Sequence, residues 1–157
     1  MKSIQQFLNE ANEERNMAKK NSVKAIIFND NKILLLRRQN DTPGEGQFDL
    51  PGGCIETNEA KIDALKREVF EETGLKITKE KFVKTVNLKI PETGIDSDMS
   101  IYTAESDNGN VILKPATWKG ADGKTEHNEY KWITDKTELE SLPMLDILKP
   151  VIMKYLK

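Results

Sequence analysis

The sequence predicts an α/β domain, and three observations carry that reading. Two apolar runs lie near the start, the β-branched and aromatic residues 23–28 and residues 33–36, on either side of an Asn/Asp turn. A helix-period segment from Ala60 to Thr73 follows, stopped by Gly74. Three further strand-like runs and a closing helix-period stretch complete the chain. The 157 residues suffice for one core of ordinary size, so we expect a single domain over residues 1–157.

Taken in order, Ile4, Phe7, Leu8 and Ala11 recur at helical spacing and predict an amphipathic helix over about residues 3–18, within an N-terminal extension of residues 1–20. Its apolar face is expected to dock on its own domain, with a homodimer interface as the alternative. Val23–Phe28 and Ile33–Leu36, joined by Asn29-Asp30-Asn31, form a hairpin. A polar loop over 39–47 leads to the short apolar segment Phe48–Leu50 and the break Pro51-Gly52-Gly53. The helix after it takes Thr57 or Asn58 as its N-cap. Phe82–Ile90, Met99–Ala104 and Glu129–Ile133 read as strands, and the Gly/Asn/Asp-rich stretch 106–124 as an extended loop. Leu142–Tyr155 reads as a last helix, interrupted at Pro150.

Composition excludes several functions. Lys+Arg number 24 and Asp+Glu 26, so the net charge of −2 leaves no basic footprint for a nucleic-acid polymer or an anionic membrane. Cys54 is the only cysteine and His127 the only histidine, which rules out an internal disulfide framework and a His/Cys zinc cage. A reducing, cytoplasmic setting is expected, and no apolar run resembles a signal peptide or a membrane span.

The chemistry concentrates in one helix. Glu68, Glu71 and Glu72 stand at i, i+3 and i+4 and share a face, where like charges cost roughly 0.2–0.5 kcal/mol per pair. Hard divalent cations prefer carboxylate oxygens, and Mg²⁺ in particular accepts a few while keeping waters and substrate phosphates. Arg67, four residues before Glu71, can orient a carboxylate and offset the repulsion. Ile62, Leu65 and Val69 form the stripe that buries the other side. Gly52 and Gly53 allow a tight turn and a close backbone approach to a metal.

This segment resembles the signature of the Nudix hydrolase family, Gly-x5-Glu-x7-Arg-Glu-U-x-Glu-Glu-x-Gly-U, where U is bulky and aliphatic. It runs Gly53, Glu59, Arg67, Glu68, Val69, Glu71, Glu72, Gly74, Leu75 with no departure. Seven letters are fixed; at roughly one chance in fifteen each, coincidence is on the order of 10⁻⁸ per starting position. The paired Arg37-Arg38, the FDLPGG lead-in and HNEYKWIT are also similar to the family.

The resemblance implies the Nudix fold, an α/β/α sandwich around a mixed β-sheet. It implies a Mg²⁺ cofactor, with Mn²⁺ as a substitute, ligated by Glu68, Glu72 and the Gly52 carbonyl, with Glu71 sharing a further ion. Arg67 would orient the glutamates and Glu59 support the loop–helix junction. The general base varies in the family, leaving Glu71, Glu126 and Glu129 as candidates. Arg37 or Arg38 would bind a phosphate; strand alternation points them to opposite faces, so one of them at most does so. Phe48, Tyr102, Trp118 and Tyr130 are the aromatics that could stack on a base, with core or loop packing as the alternative for each; Phe48 is taken as the substrate contact. His127 is expected at a surface or strand edge, and Cys54 is expected to have no covalent role. The implied reaction is pyrophosphate-bond cleavage in a nucleoside diphosphate linked to another group. A nucleoside triphosphate, oxidised or not, is the first expectation. ADP-ribose or a nucleotide sugar is the second, and a non-catalytic nucleotide-binding regulator the rival.

Overall fold

The computed structural model describes residues 1–8, 20–39, 45–91, 94–114 and 126–157. β1 (Lys20–Asn29) and β2 (Lys32–Arg38) make the expected hairpin, joined by Asp30 and Asn31 at φ 48° and 61°. Two left-handed residues match a tight turn to the natural strand twist, and Asp and Asn tolerate that conformation. The hairpin then opens into a fork. β1 and β2 pair only at Phe28–Ile33 and Asn29–Lys32. Farther along, β4 (Gly52–Cys54) pairs with β1, and β3 (Phe48–Asp49) pairs with β2. The FDLPGGC segment therefore fills the split between the two strands. Gly52 is required there: at φ 148°, a Cβ would lie 1.9 Å from the Val23 carbonyl oxygen.

The sheet has strand order β3-β2-β1-β6-β5, with β4 on β1 and β7 (His127–Ile133) on β2. β6 (Ile95–Ser106) runs parallel to β1, and β5 (Ile77–Ile90) runs antiparallel to β6, so the sheet is mixed. Side chains alternate between two cores. Val23, Ala25, Ile27, Leu34 and Leu36 pack beneath α1 (Lys61–Thr73) with Leu65 and Val69. Ile26, Ile33, Leu35 and Ile101 pack on the other face against Leu139, Leu148 and Ile152 of the C-terminal segment. Burial on both faces explains why Ile33–Leu36 is continuously apolar. The result is the expected α/β/α arrangement around a mixed sheet.

Several boundaries differ from expectation. The N-cap of α1 is Ala60, with no side-chain cap bond. Asn58 takes a left-handed conformation at φ 63°, and the Glu59 carboxylate accepts from the Glu56 amide instead. Gly74 stops the helix as expected, at φ 74°. β5 starts at Ile77, not Phe82, because its first turns are polar and bulged on an edge, with no alternation to read. A short helix that was not expected forms first, α2 (Lys136–Glu140), and of the expected helix at Leu142–Tyr155 only α3 (Lys149–Met153) forms. Pro143 breaks the run, and its carbonyl accepts from the Phe48 amide at 2.7 Å. Pro150 starts α3 instead of kinking it, a position where its missing N–H costs nothing. At the N-terminus residues 4–8 are helical with Ile4, Phe7 and Leu8 exposed, while the rest of the expected helix, including Ala11, lies outside the described residues.

Candidate active site

Helix α1 has a packed side and an ionic side. Ala64, Leu65 and Val69 are fully buried against the sheet, which turns Glu68 and Glu72 toward the fork. Arg67 is the hub of the ionic side. Its Nε and Nη2 donate to Glu59, both at 2.8 Å, and Nη1 donates to Glu68 at 2.9 Å and Glu71 at 3.2 Å. Nη2 also donates to the Cys54 carbonyl, tying the helix to the glycine turn. The Arg67 hydrogen bonds, with help from the Glu56 amide, hold the Glu59 carboxyl down to about 2. Gly53 faces Glu68 so closely that a Cβ there would lie 2.5 Å from the carboxyl carbon.

Glu72 is the anomaly. It is 8% exposed, and among the described residues neither carboxylate oxygen has a hydrogen-bond partner. A buried carboxylate without donors is expensive. Burial pushes its pKa well above the usual range, against the pull of the Lys24 charge. Burial also raises Glu68, with Arg67 opposing. Two orphaned oxygens beside a second carboxylate and an open glycine backbone are a donor set that suits a hard divalent cation. Among the described residues no group of three or more His, Cys, Asp or Glu side chains is arranged to hold a metal ion.

The floor of the site was not anticipated. Lys24 and Asp49 are both buried and paired, Nζ to Oδ2 at 2.8 Å. Burial pulls the Lys24 pKa down, but the Asp49 and Glu72 carboxylates outweigh it, and the net shift is upward. The signal was present in β1, where Ser22 and Lys24 alternate with Val23 and Ala25. It is recognisable only once the fork sets Asp49 beside Lys24.

Arg38 donates to Glu126 at 3.0 Å and lies 3.6 Å from Asp49. His127, expected at a surface or strand edge, begins an edge strand but is 5% exposed, with Nδ1 3.6 Å from Glu72. Burial, then the Arg38 and Lys24 charges, drive its pKa to about 3. Arg37 is elsewhere, in a half-exposed ion pair with Glu129 at 3.2 Å. A bulge separates the two arginines. Phe48, expected to stack on a base, is instead a core residue at 4% exposure, because β3 is inserted between β2 and Met144. Tyr102 is also buried, edge-on to Phe82. Tyr130 is exposed, and Trp118 lies outside the described residues.

A cleft of about 760 Å³ opens beside these groups. Lys24, Arg38, Gly52, Gly53 and Glu126 line it at the end nearer α1. Ser22, Leu88, Ile95 and Ser97 line it toward the β5–β6 tip. Among the described residues no helix is long and apolar enough to cross a membrane.

Comparison with known proteins agrees with this geometry. The family described as NUDIX domain matches residues 18–152. An ADP-ribose pyrophosphatase of Methanocaldococcus jannaschii is 52% identical over 54 residues, 34% of this chain and 31% of its own. A NAD-capped RNA hydrolase NudC of Actinobacillus succinogenes is 26% identical over 125 residues, 78% of this chain and 42% of its own. A CTP pyrophosphohydrolase of Escherichia coli is 39% identical over 61 residues, 39% and 45% of the two chains. The matches thus span less than half the length of each of these relatives. Among solved structures, a MutT protein from Methanosarcina mazei superposes with a TM-score of 0.73 at 25% identity, covering 87% of this chain and 92% of that one. The NUDIX domain of Shewanella oneidensis NrtR, in complex with ADP-ribose, gives 0.68 at 20% identity, covering 96% and 95%. The intact signature on α1, the forked mixed sheet and the extent of the family match agree: the chain belongs to the Nudix hydrolase family.

Proposed function

We propose that the protein is a Mg²⁺-dependent hydrolase, with Mn²⁺ able to substitute, that cleaves a pyrophosphate bond in a small nucleotide derivative. The observation that carries this is Glu72, buried with both oxygens unpartnered on the same helix face as Glu68. Glu68, Glu72 and the Gly52 carbonyl would hold the ion, and Glu71 would share a further one. The bound cation supplies positive charge that offsets charge developing on the phosphoryl oxygens. Arg67 keeps Glu68 and Glu71 in place through its fixed fork of donors. Arg38 lines the cleft and is the phosphate contact. Water attacks one phosphorus, the bridging P–O bond breaks, and the proton passes to a carboxylate. Glu126 and Glu129 are each paired with an arginine, Glu126 with Arg38 and Glu129 with Arg37, and Glu126 is preferred as that acceptor because it lines the cleft.

A nucleoside triphosphate is the first substrate class. ADP-ribose is the second, favoured by the 54-residue match to an ADP-ribose pyrophosphatase. The protein works in the cytoplasm as a single domain, with the N-terminal helix as a candidate homodimer surface. The test is product release from nucleoside triphosphates, oxidised guanine triphosphate, ADP-ribose, a UDP-sugar and a dinucleoside tetraphosphate, with Mg²⁺ or EDTA. Mg²⁺-dependent cleavage lost in Glu72→Gln supports the reading. Tight nucleotide binding with no product for any compound overturns it in favour of a non-catalytic binding module.

A further inference from the structure

Asp49 is held at the floor of the site by both of its oxygens. Oδ1 accepts from the Leu50 amide and Oδ2 accepts from Lys24 Nζ, each at 2.8 Å. Lys24 Nζ also donates to the Leu50 carbonyl at 3.3 Å, so the ammonium is fixed in turn. Both residues are buried. Burying two charges is costly, and apolar side chains would fill the same gap as well or better. The pair is explained by what it stands beside. The same Oδ2 lies 3.6 Å from Nη1 of Arg38, the proposed phosphate contact, while Glu126 accepts from Nη2 at 3.0 Å. Contacts on two terminal nitrogens fix the plane of a guanidinium. Of the two carboxylates Asp49 is the more enclosed, its side chain 10% exposed against 31% for Glu126. Lys24 adds a second effect. Two carboxylates against one arginine would leave net negative charge facing a polyphosphate, and the ammonium brings the four groups to balance.

We propose that Asp49 is a positioning residue, anchored by Lys24, that aims the Arg38 guanidinium at a substrate phosphate without cancelling the positive charge that attracts it. This rests on the nucleotide reading of the same site and deepens it by naming what sets the phosphate contact.

The probe is methylenediphosphonate, a pyrophosphate analogue whose P–C–P bridge is not hydrolysed, titrated by calorimetry into the protein in Mg²⁺. If charge alone mattered, removing a carboxylate would strengthen the binding of an anion. Asp49→Asn should instead weaken it roughly tenfold, because the guanidinium loses its fixed partner. Arg38→Ala should weaken it roughly 10- to 100-fold. Added to Arg38→Ala, Asp49→Asn should cause no further weakening, since two residues that act through one contact are not additive. If Asp49→Asn does not fold, Lys24→Met/Asp49→Asn removes both buried charges together and takes its place in the cycle with the same expectation. Tighter or unchanged binding by Asp49→Asn, equal weakening with and without Arg38, or no binding by the wild type overturns the proposal. Turnover separates it from the broader reading. Nucleotide cleavage by the wild type together with equal weakening in both backgrounds sinks the Asp49 assignment alone. Coupling between Asp49 and Arg38 with no turnover of any nucleotide supports the assignment and sinks the hydrolase reading.

Discussion

Nδ1 of His127 lies 3.6 Å from Oε2 of Glu72, and both side chains are buried. Burial disfavours the imidazolium, and the Arg38 and Lys24 charges add to that, so the ring is neutral down to about pH 3. Because His127 is the only histidine, its imidazole proton resonances can be followed in the untagged protein without assignment. They should stay constant from pH 8 to below pH 4.5. The native pKa is depressed, so the unfolded chain takes up a proton near 6.5 that the native state refuses. Stability should therefore fall between pH 6.5 and 3, by up to about 1.4 kcal/mol per pH unit. His127→Gln should remove that part of the slope, seen as a Tm difference that narrows on acidification. A midpoint near pH 6.5 in the native spectrum would rule out this environment.

Glu72→Gln replaces a carboxylate that has no protein donor with a neutral group of the same shape. In EDTA its Tm should equal or exceed that of the wild type, because the desolvated charge is gone. Wild-type protein should gain Tm on adding Mg²⁺ by mass action, about 2.7 kcal/mol at one hundred times the dissociation constant. The variant should gain little and lose most turnover. Equal Mg²⁺ stabilisation of both proteins, measured by thermal shift, would remove Glu72 from the ligand set.

The two glycines of the turn should separate structure from chemistry. At Gly52 an added Cβ meets the Val23 backbone at 1.9 Å, which nothing cheap relieves, so Gly52→Ala should cost several kcal/mol or prevent folding. At Gly53 the Cβ meets only the end of the Glu68 side chain, which can swing away. Gly53→Ala should thus fold with a Tm within a few degrees of wild type. It should weaken Mg²⁺ binding about tenfold or more by displacing Glu68. Calorimetry and thermal melts on both variants decide this.

Ile4, Phe7 and Leu8 stand exposed at helical spacing. Deleting residues 1–19 should halve the solution mass if that face joins two copies, and leave the Mg²⁺ response of each domain unchanged. Light scattering is the readout; an unchanged mass removes the dimer role.

What the sequence determined by itself is local. The spacing of Glu68, Glu71 and Glu72, the stop at Gly74 and the turn at Asp30-Asn31 depend on backbone geometry within a few residues, and period and residue type report that directly. The face of α1 that packs was legible for the same reason. The N-cap at Ala60 was not, because Glu59 is held by Arg67 one helix face away. Tertiary structure alone decided the floor of the site. β1 and β2 part after two residue pairs, and FDLPGGC enters the gap. That insertion sets Asp49 on Lys24 and Arg38 and sends Phe48 into the core, while β7 brings His127 beside Glu72, ion contacts between residues 11 to 55 positions apart. Whether a charge or a ring is buried is a property of everything that surrounds it. No periodicity along one strand encodes that, so these roles emerge only when the fork closes.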